Sequence, residues 1–236
     1  MNRKAIISGG TKGIGRAITE ALASEGYDVA ICSRTESDLE VLKTELNHRF
    51  PRIKVITQVV DMRVKSEVIQ FGTSVCDAWK RIDVLVNNAG AFHPGTLFDE
   101  PDGAMEEMIE TNLYSAYHLT RVVVELMLVY RKGHIFNMCS VASAQAYPNG
   151  GSYSVSKFAL LGFTKNLREE LRTQGIKVTA ILPGATWTDS WAGYEAPPER
   201  LMKPRDVAEA VVSALRMSSG AVVEEIVMRP QLGDIK

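Results

Sequence analysis

Short apolar runs alternate with longer stretches of helical character along the whole chain. Most of the short runs are continuous rather than alternating, which is typical of strands buried on both faces of a parallel sheet. The predicted strands are Ala5–Ser8, Val29–Cys32, Val55–Val59, Val84–Val86, Ile135–Met138, Val178–Leu182 and Glu225–Met228.

The predicted helices lie between these strands. They cover Gly15–Glu25, Ser37–Arg49, Lys65–Lys80, Met105–Tyr130, Ser154–Gln174 and Arg205–Met217. Strict alternation of strand and helix predicts an α/β fold of the Rossmann type: a three-layer sandwich in which a doubly wound parallel sheet of about seven strands carries helices on both faces. Because no repeat or linker interrupts the pattern, we expect one domain over residues 1–236, with the irregular segment 184–203 covering the crevice beyond the strand ends.

Composition narrows the class of protein. The 236 residues are 45% hydrophobic, enough for one sizeable core, and the net charge of -1 gives no broad basic field for nucleic acid. Three scattered cysteines predict neither a disulfide framework nor a metal site. With no signal-peptide pattern and no apolar stretch that could cross a membrane, we expect a cytoplasmic protein.

A glycine-rich turn follows the first predicted strand and opens the first helix. Its usable pattern is Gly9-x3-Gly13-Ile14-Gly15, because Ile18 stands where the strict Gly-x-Gly-x-x-Gly fingerprint has its last glycine. Glycines let the backbone approach a pyrophosphate, which the helix N-terminus favours electrostatically. The turn therefore predicts nucleotide binding, with an ordinary βα turn as the alternative.

The tip of the second strand indicates which nucleotide. An NAD site usually has an acid there for the ribose 2′-hydroxyl, but this strand ends Ser33-Arg34 and no carboxylate appears before Glu36. A guanidinium suits a 2′-phosphate, and Lys12 adds a second cation. We therefore predict NADP(H) rather than NAD(H), the alternative being that both cations are solvated surface groups.

Tyr153 and Lys157 are four residues apart, one turn along the same helix face. An ammonium beside a phenol favours the phenolate, so we expect the pKa of Tyr153 to be lowered and the phenol to exchange protons near neutral pH. The hydroxyl of Ser140 could hold a substrate oxygen beside it. The pair alone is weak evidence, since such spacings are common on helices.

These motifs occur in a characteristic order together with two others, Asn87-Asn88-Ala89-Gly90 and Pro183-Gly184. In this order, over essentially the whole chain, they resemble the single-domain, NADP-preferring short-chain dehydrogenase/reductase family. The resemblance implies hydride transfer between a nicotinamide and the carbonyl or alcohol carbon of a small molecule.

The resemblance also implies roles for four catalytic residues. Tyr153 is the general acid or base, Ser140 hydrogen-bonds the reacting oxygen, and Lys157 tunes Tyr153 and binds the nicotinamide ribose. Asn112 holds a water in a proton relay, whereas without the family it would be a polar residue on an exposed helix face. The implied cofactor-binding residues are Gly9, Thr11, Lys12, Gly13, Ile14, Gly15, Ser33, Arg34, Asp61, Met62, Asn88, Ala89, Gly90, Tyr153, Lys157, Pro183, Gly184, Thr186 and Thr188.

The substrate is less constrained. The segments after Pro183 and after Val222 resemble a bacterial sepiapterin reductase-like subgroup, which implies a pterin side-chain carbonyl. A 3-oxoacyl thioester reductase is one alternative, and a non-catalytic NADP(H)-binding sensor or scaffold is another. Candidate substrate-binding residues are Gln145, Tyr147, Trp187 and Trp191.

Two helical segments, Leu119–Val129 and Phe158–Phe163, are apolar on more than one side. One side would pack on the sheet and the other on a second subunit, with packing within one chain as the alternative. The family resemblance favours a homodimer or homotetramer.

Overall fold

The computed structural model describes residues 2–189, 197 and 200–234. Seven strands make one parallel sheet: β1 (Lys4–Ser8), β2 (Asp28–Ser33), β3 (Val55–Val59), β4 (Val84–Asn87), β5 (Gly133–Met138), β6 (Ile176–Pro183) and β7 (Glu225–Met228). Their spatial order is β3-β2-β1-β4-β5-β6-β7. All seven predicted strands are present, so the predicted doubly wound parallel sheet is confirmed.

Helices occupy the predicted intervals between the strands. The α-helices are α1 (Gly13–Ser24), α2 (Glu36–Arg49), α3 (Lys65–Trp79), α4 (Ala104–Ile109), α5 (Ser115–Tyr130), α6 (Gly151–Leu171) and α7 (Pro204–Leu215). Short 3₁₀ turns cover Val141–Ser143 and Arg172–Gln174. Pro204 begins α7, where its fixed φ and missing N–H cost nothing.

The sheet separates two apolar cores. Neighbouring residues of β1 point to opposite faces, so Ile7 packs with Leu22 of α1 and Val211 of α7 on one side. Ile6 packs with Phe71 of α3 and Leu119 of α5 on the other side. Strands with apolar side chains on both faces require helices on both faces, which produces the three layers.

One predicted helix, Met105–Tyr130, is interrupted. The chain instead forms α4, a π-helical turn over Glu110–Tyr114, and α5. Single π turns often mark functional sites, and this one contains Asn112.

The connections place a crevice at the carboxyl ends of the central strands. The chain runs outward from β1 through β2 to β3, then returns to β4 on the other side of β1. This reversal separates the loops that follow β1 and β4, which is where open α/β sheets bind ligands.

Part of the irregular segment 184–203 lies outside the described residues, including Trp191. Of the helices in the described ranges, none has both the length and the apolar character to cross a membrane.

Candidate active site

A cleft of about 690 Å³ lies at the carboxyl ends of the strands, within the range of ligand-binding pockets. It is lined by all the predicted cofactor-binding residues, by three of the four predicted catalytic residues and by two of the four substrate candidates. The structure therefore brings together the chain segments that follow β1, β2, β3, β4, β5 and β6.

The glycine turn after β1 has a backbone that side chains would obstruct. Gly9 and Gly13 have positive φ values of 64° and 50°. A Cβ on Gly15 would lie 2.1 Å from the carbonyl oxygen of Gly9. The backbone N–H groups at the start of α1 are thus open to an approaching anion, and the first turn of that helix, all of it described, contains no acidic residue.

Ser8 and Asn88 join this turn to the loop after β4. The Ser8 hydroxyl accepts hydrogen bonds from the backbone N–H groups of Asn88 and Ala89, both at 3.0 Å. The Asn88 amide donates to the carbonyl oxygens of Ser8 and Gly9. These bonds fix the two walls of the crevice to each other.

The tip of β2 presents positive charge to the cleft. Arg34 is exposed there, and the Lys12 ammonium lies 3.1 Å from the Asp38 carboxylate. Beside them, the guanidinium of Arg63 hydrogen-bonds Asp61 and holds the pKa of that carboxyl below its usual range. Arg63 also reaches Glu107 of α4 at 3.4 Å.

Ser140 begins the 3₁₀ turn after β5 as part of a capping box. Its hydroxyl accepts from the backbone N–H of Ala142 at 3.2 Å, while its own N–H donates to the Ser143 hydroxyl at 3.0 Å. The side chain is almost buried and can also donate to the Pro183 carbonyl oxygen at 3.5 Å. The first local bond positions the hydroxyl, and the second positions the backbone that carries it.

Tyr153 is in the first turn of α6, with its ring edge-on to Phe92 at 4.8 Å between centroids. The expected lowering of its pKa is wrong for this structure. Burial raises the pKa of Tyr153 to about 12, and the neighbouring Ser140 hydroxyl opposes this shift only in part. The phenol is therefore protonated at neutral pH, which is the state that a general acid needs.

Lys157 lies one turn further along α6 and is buried. Its ammonium donates to the Met138 carbonyl oxygen at 2.8 Å and lies 5.8 Å from the centre of the Tyr153 ring. Burial lowers the pKa of Lys157 to about 8. The ammonium faces the Met138 carbonyl oxygen instead of the phenol oxygen. It therefore does not offset the rise that burial causes in the pKa of Tyr153.

Asn112 lies behind the cleft and is fully buried, so an exposed helix face is the wrong environment for it. Its amide bonds both backbone groups of Ala91, accepting at 2.8 Å and donating at 3.1 Å, and donates to the Ser156 hydroxyl at 2.8 Å. A Cβ on Gly90 would lie 3.0 Å from the Asn112 Oδ1 and 3.4 Å from the Lys157 Nζ. Asn112 and Lys157 therefore approach the same glycine.

The loop after β6 reaches across to the glycine turn. A Cβ on Gly13 would lie 3.0 Å from the methyl group of Thr188, and the Thr186 hydroxyl donates to the Gly184 carbonyl oxygen. Among the substrate candidates, Gln145 and Tyr147 line the cleft. Trp187 is 53% exposed and is not one of the described residues that line it, and Trp191 lies outside the described residues.

Several cleft residues carry no signal that we used in the sequence. Ser143 supports Ser140 without lining the cleft, and it could have been found, since it lies three residues after Ser140 in the spacing of a capping box. The cleft residues that the sequence did not indicate reach it through tertiary packing of α2, of α4 and of loops. They include Asp38, Arg63, Phe92, Glu107, Arg229 and Asp234.

Comparisons with known proteins agree with this geometry. Residues 3–198 match the family model described as short chain dehydrogenase. A sepiapterin reductase from Chlorobaculum tepidum is 34% identical over 98% of this chain and 97% of its own length. A monensin polyketide synthase putative ketoacyl reductase from Streptomyces virginiae is 40% identical over 78% of this chain and 70% of its own length.

The fold agrees with a solved structure as well. An alcohol dehydrogenase from the archaeon Thermococcus sibiricus, complexed with 5-hydroxy-NADP, superposes with a TM-score of 0.93 at 27% identity over the full length of both chains. The chain belongs to the short-chain dehydrogenase family and is an oxidoreductase of that family.

Proposed function

We propose that the protein is an NADP(H)-dependent reductase that protonates the carbonyl oxygen of a small molecule from Tyr153. The observation that carries the proposal is that Ser140, Tyr153 and Lys157 line the same cleft as the glycine turn. A positioned acid and a second donor on one oxygen constitute a carbonyl-reducing site, provided that a hydride donor lies beside them.

The cleft fits a dinucleotide. The glycine turn would hold the pyrophosphate, because a Cβ on Gly15 would collide with the Gly9 carbonyl and close the approach to the backbone. Arg34 and Lys12 would bind a 2′-phosphate, and Asp61 with Met62 would flank the adenine. The loop residues Pro183, Gly184, Thr186 and Thr188 would hold the nicotinamide end. When bound, the nicotinamide supplies a hydride.

NADP(H) is favoured over NAD(H) by the charges at the tip of β2. Arg34 is exposed at the cleft, and the described part of this tip has no carboxylate before Glu36. The alcohol dehydrogenase from Thermococcus sibiricus, which has the same fold, binds 5-hydroxy-NADP. Lys12 is paired with Asp38, so Arg34 is the main contact that we assign to a 2′-phosphate.

Four side chains of this protein would donate and return the proton that the reduction consumes. Tyr153 donates a proton to the developing alkoxide, and its pKa of about 12 keeps the phenol protonated at neutral pH. Ser140 hydrogen-bonds the same oxygen. Lys157 holds the nicotinamide ribose, and Asn112, next to Lys157 at Gly90, holds the water that returns a proton. General acid catalysis of this kind contributes roughly 10²–10⁴-fold, or about 3–5 kcal/mol.

Two substrate classes follow from the relatives. The sepiapterin reductase from Chlorobaculum tepidum is similar over nearly the whole chain, which favours a pterin side-chain carbonyl. The putative ketoacyl reductase from Streptomyces virginiae has the higher identity over a shorter span, which keeps a 3-oxoacyl thioester as the second candidate.

The test is loss of NADPH absorbance with a panel of carbonyl compounds that includes sepiapterin and an acetoacetyl thioester. We expect turnover with NADPH, and a kcat/KM for sepiapterin at least about tenfold above that for the thioester. If kcat/KM is higher for the thioester, the proposed substrate becomes a 3-oxoacyl thioester instead of a pterin. Absence of turnover over the whole panel, with NADPH bound, would favour a sensor and overturn the proposed reaction.

A further inference from the structure

The segment between β4 and α4, residues 88–103, contacts the first turn of α6 at more than one point. The ring of Phe92 meets the ring of Tyr153 at 4.8 Å, and the Gly95 N–H donates to the Asn149 carbonyl oxygen at 3.1 Å just before α6. Gly95 and Gly150 form a parallel bridge. The backbone that leads into the helix of Tyr153 is therefore paired with this segment.

Glu100 makes the strongest of these contacts. Its carboxylate accepts a hydrogen bond from the backbone N–H of Ser152 at 2.8 Å and a second one from the Ser152 hydroxyl. Ser152 is buried and immediately precedes Tyr153. Hydrogen bonds to a charged acceptor are stronger than neutral ones, and the Glu100 carboxylate accepts from both the backbone N–H and the hydroxyl of Ser152.

Two glycines leave the space for this carboxylate. Gly151 has φ of +43°, and a Cβ there would lie 2.0 Å from Oε1 of Glu100 and 2.7 Å from the Gly95 carbonyl oxygen. A Cβ on Gly95 would lie 3.1 Å from Cγ of Glu100. Any larger residue at 151 would displace the carboxylate from the start of α6.

From these contacts we infer that Glu100 is a positioning residue, which holds the first turn of α6 so that the Tyr153 phenol points at the substrate oxygen. The inference rests on the proposed function of Tyr153. Glu100 acts through geometry, because its carboxylate bonds Ser152, the residue before Tyr153, and the described contacts include none between Glu100 and the phenol. A displacement of about 1 Å at a reacting group can cost on the order of 10²-fold in rate.

Four variants separate positioning from simple stabilisation, with reductive kcat, KM for the carbonyl substrate and Kd for NADPH measured for each. Glu100→Ala removes both bonds, and we expect kcat to fall at least about tenfold while the Kd for NADPH stays within about twofold. Glu100→Gln keeps a side chain of the same length that can accept from the Ser152 N–H, so we expect it to retain at least about a third of the turnover. Asp99→Ala, an exposed neighbouring acid, is the matched control and leaves kcat unchanged.

Ser152→Ala keeps the backbone bond and removes only the hydroxyl, so it tests the inference even if Glu100→Ala fails to fold. We expect its kcat to fall about threefold with NADPH binding intact. If Glu100→Ala folds with normal kcat and only a lower Tm, or if Ser152→Ala leaves kcat unchanged, the positioning role is overturned. Tyr153→Phe in the same assay tests the proposed function separately. Near-normal turnover of that variant would contradict the role of Tyr153 as proton donor, whatever the result for Glu100.

Discussion

At the residue scale, the proton chemistry of the cleft depends on two side chains of α6, Tyr153 and Lys157. A spacing of four puts Lys157 on the same helix face as Tyr153, as the structure has it. It does not reveal that the ammonium bonds the Met138 carbonyl or that the phenol is buried enough to raise its pKa to about 12. Both depend on distant parts of the chain. The catalytic roles themselves stay predictions.

The lowered pKa of Lys157 gives a pH-dependent prediction. Burial lowers that pKa to about 8, so the ammonium is charged below this pH and loses its charge as the pH rises through it. We expect the reductive kcat of the wild type to fall as the pH rises through about 8. In Lys157→Arg, whose guanidinium stays charged, we expect lower turnover without that decline. The same decline in both proteins would contradict the assignment to Lys157.

At the scale of elements, the pattern of apolar runs predicted every strand because a doubly covered parallel sheet needs continuous apolar segments. The one clear error was the uninterrupted helix Met105–Tyr130. The π turn that interrupts it contains Asn112, whose amide bonds the backbone of Ala91 and the Ser156 hydroxyl. Such long-range bonds leave no periodic signal, so local pattern could not predict them.

The tip of β2 supports a prediction about cofactor preference. Arg34→Asp places a carboxylate where the 2′-phosphate would bind, so we expect the KM for NADPH to rise at least about tenfold, which corresponds to roughly 1.4 kcal/mol. The KM for NADH should change less or improve. Steady-state kinetics with both cofactors measures this, with exposed Arg52→Asp as the control. An unchanged NADPH to NADH ratio would rule out the role of Arg34.

At the scale of the whole molecule, two helices present apolar side chains to the surface. Val129 near the end of α5 is 74% exposed, and Phe158 of α6 is 44% exposed. The other faces of these helices pack on the sheet, as expected from their apolar sequences. The outward faces agree with our expectation of a homodimer or homotetramer, which stays a prediction.

Replacing Phe158 tests that prediction. If α6 packs against a second subunit, Phe158→Glu buries a charge there and should raise the dissociation constant of the oligomer by roughly tenfold or more. Sedimentation velocity over a concentration series measures the change. The control is Phe98→Glu, a phenylalanine 92% exposed outside both helices. An oligomer that is equally stable in both variants would place the interface elsewhere, and a monomeric wild type would end the prediction.

The central claim, that Tyr153 is the proton donor, is tested most directly by the single-turnover reduction of a carbonyl substrate by Tyr153→Phe. The variant removes one hydroxyl from a ring held by Phe92. We predict that the reductive rate falls at least about 10²-fold, while the Kd for NADPH stays within about threefold. Tyr130→Phe, an exposed tyrosine at the end of α5, should keep the wild-type rate. A Tyr153→Phe enzyme that turns over at a near-normal rate would contradict the account.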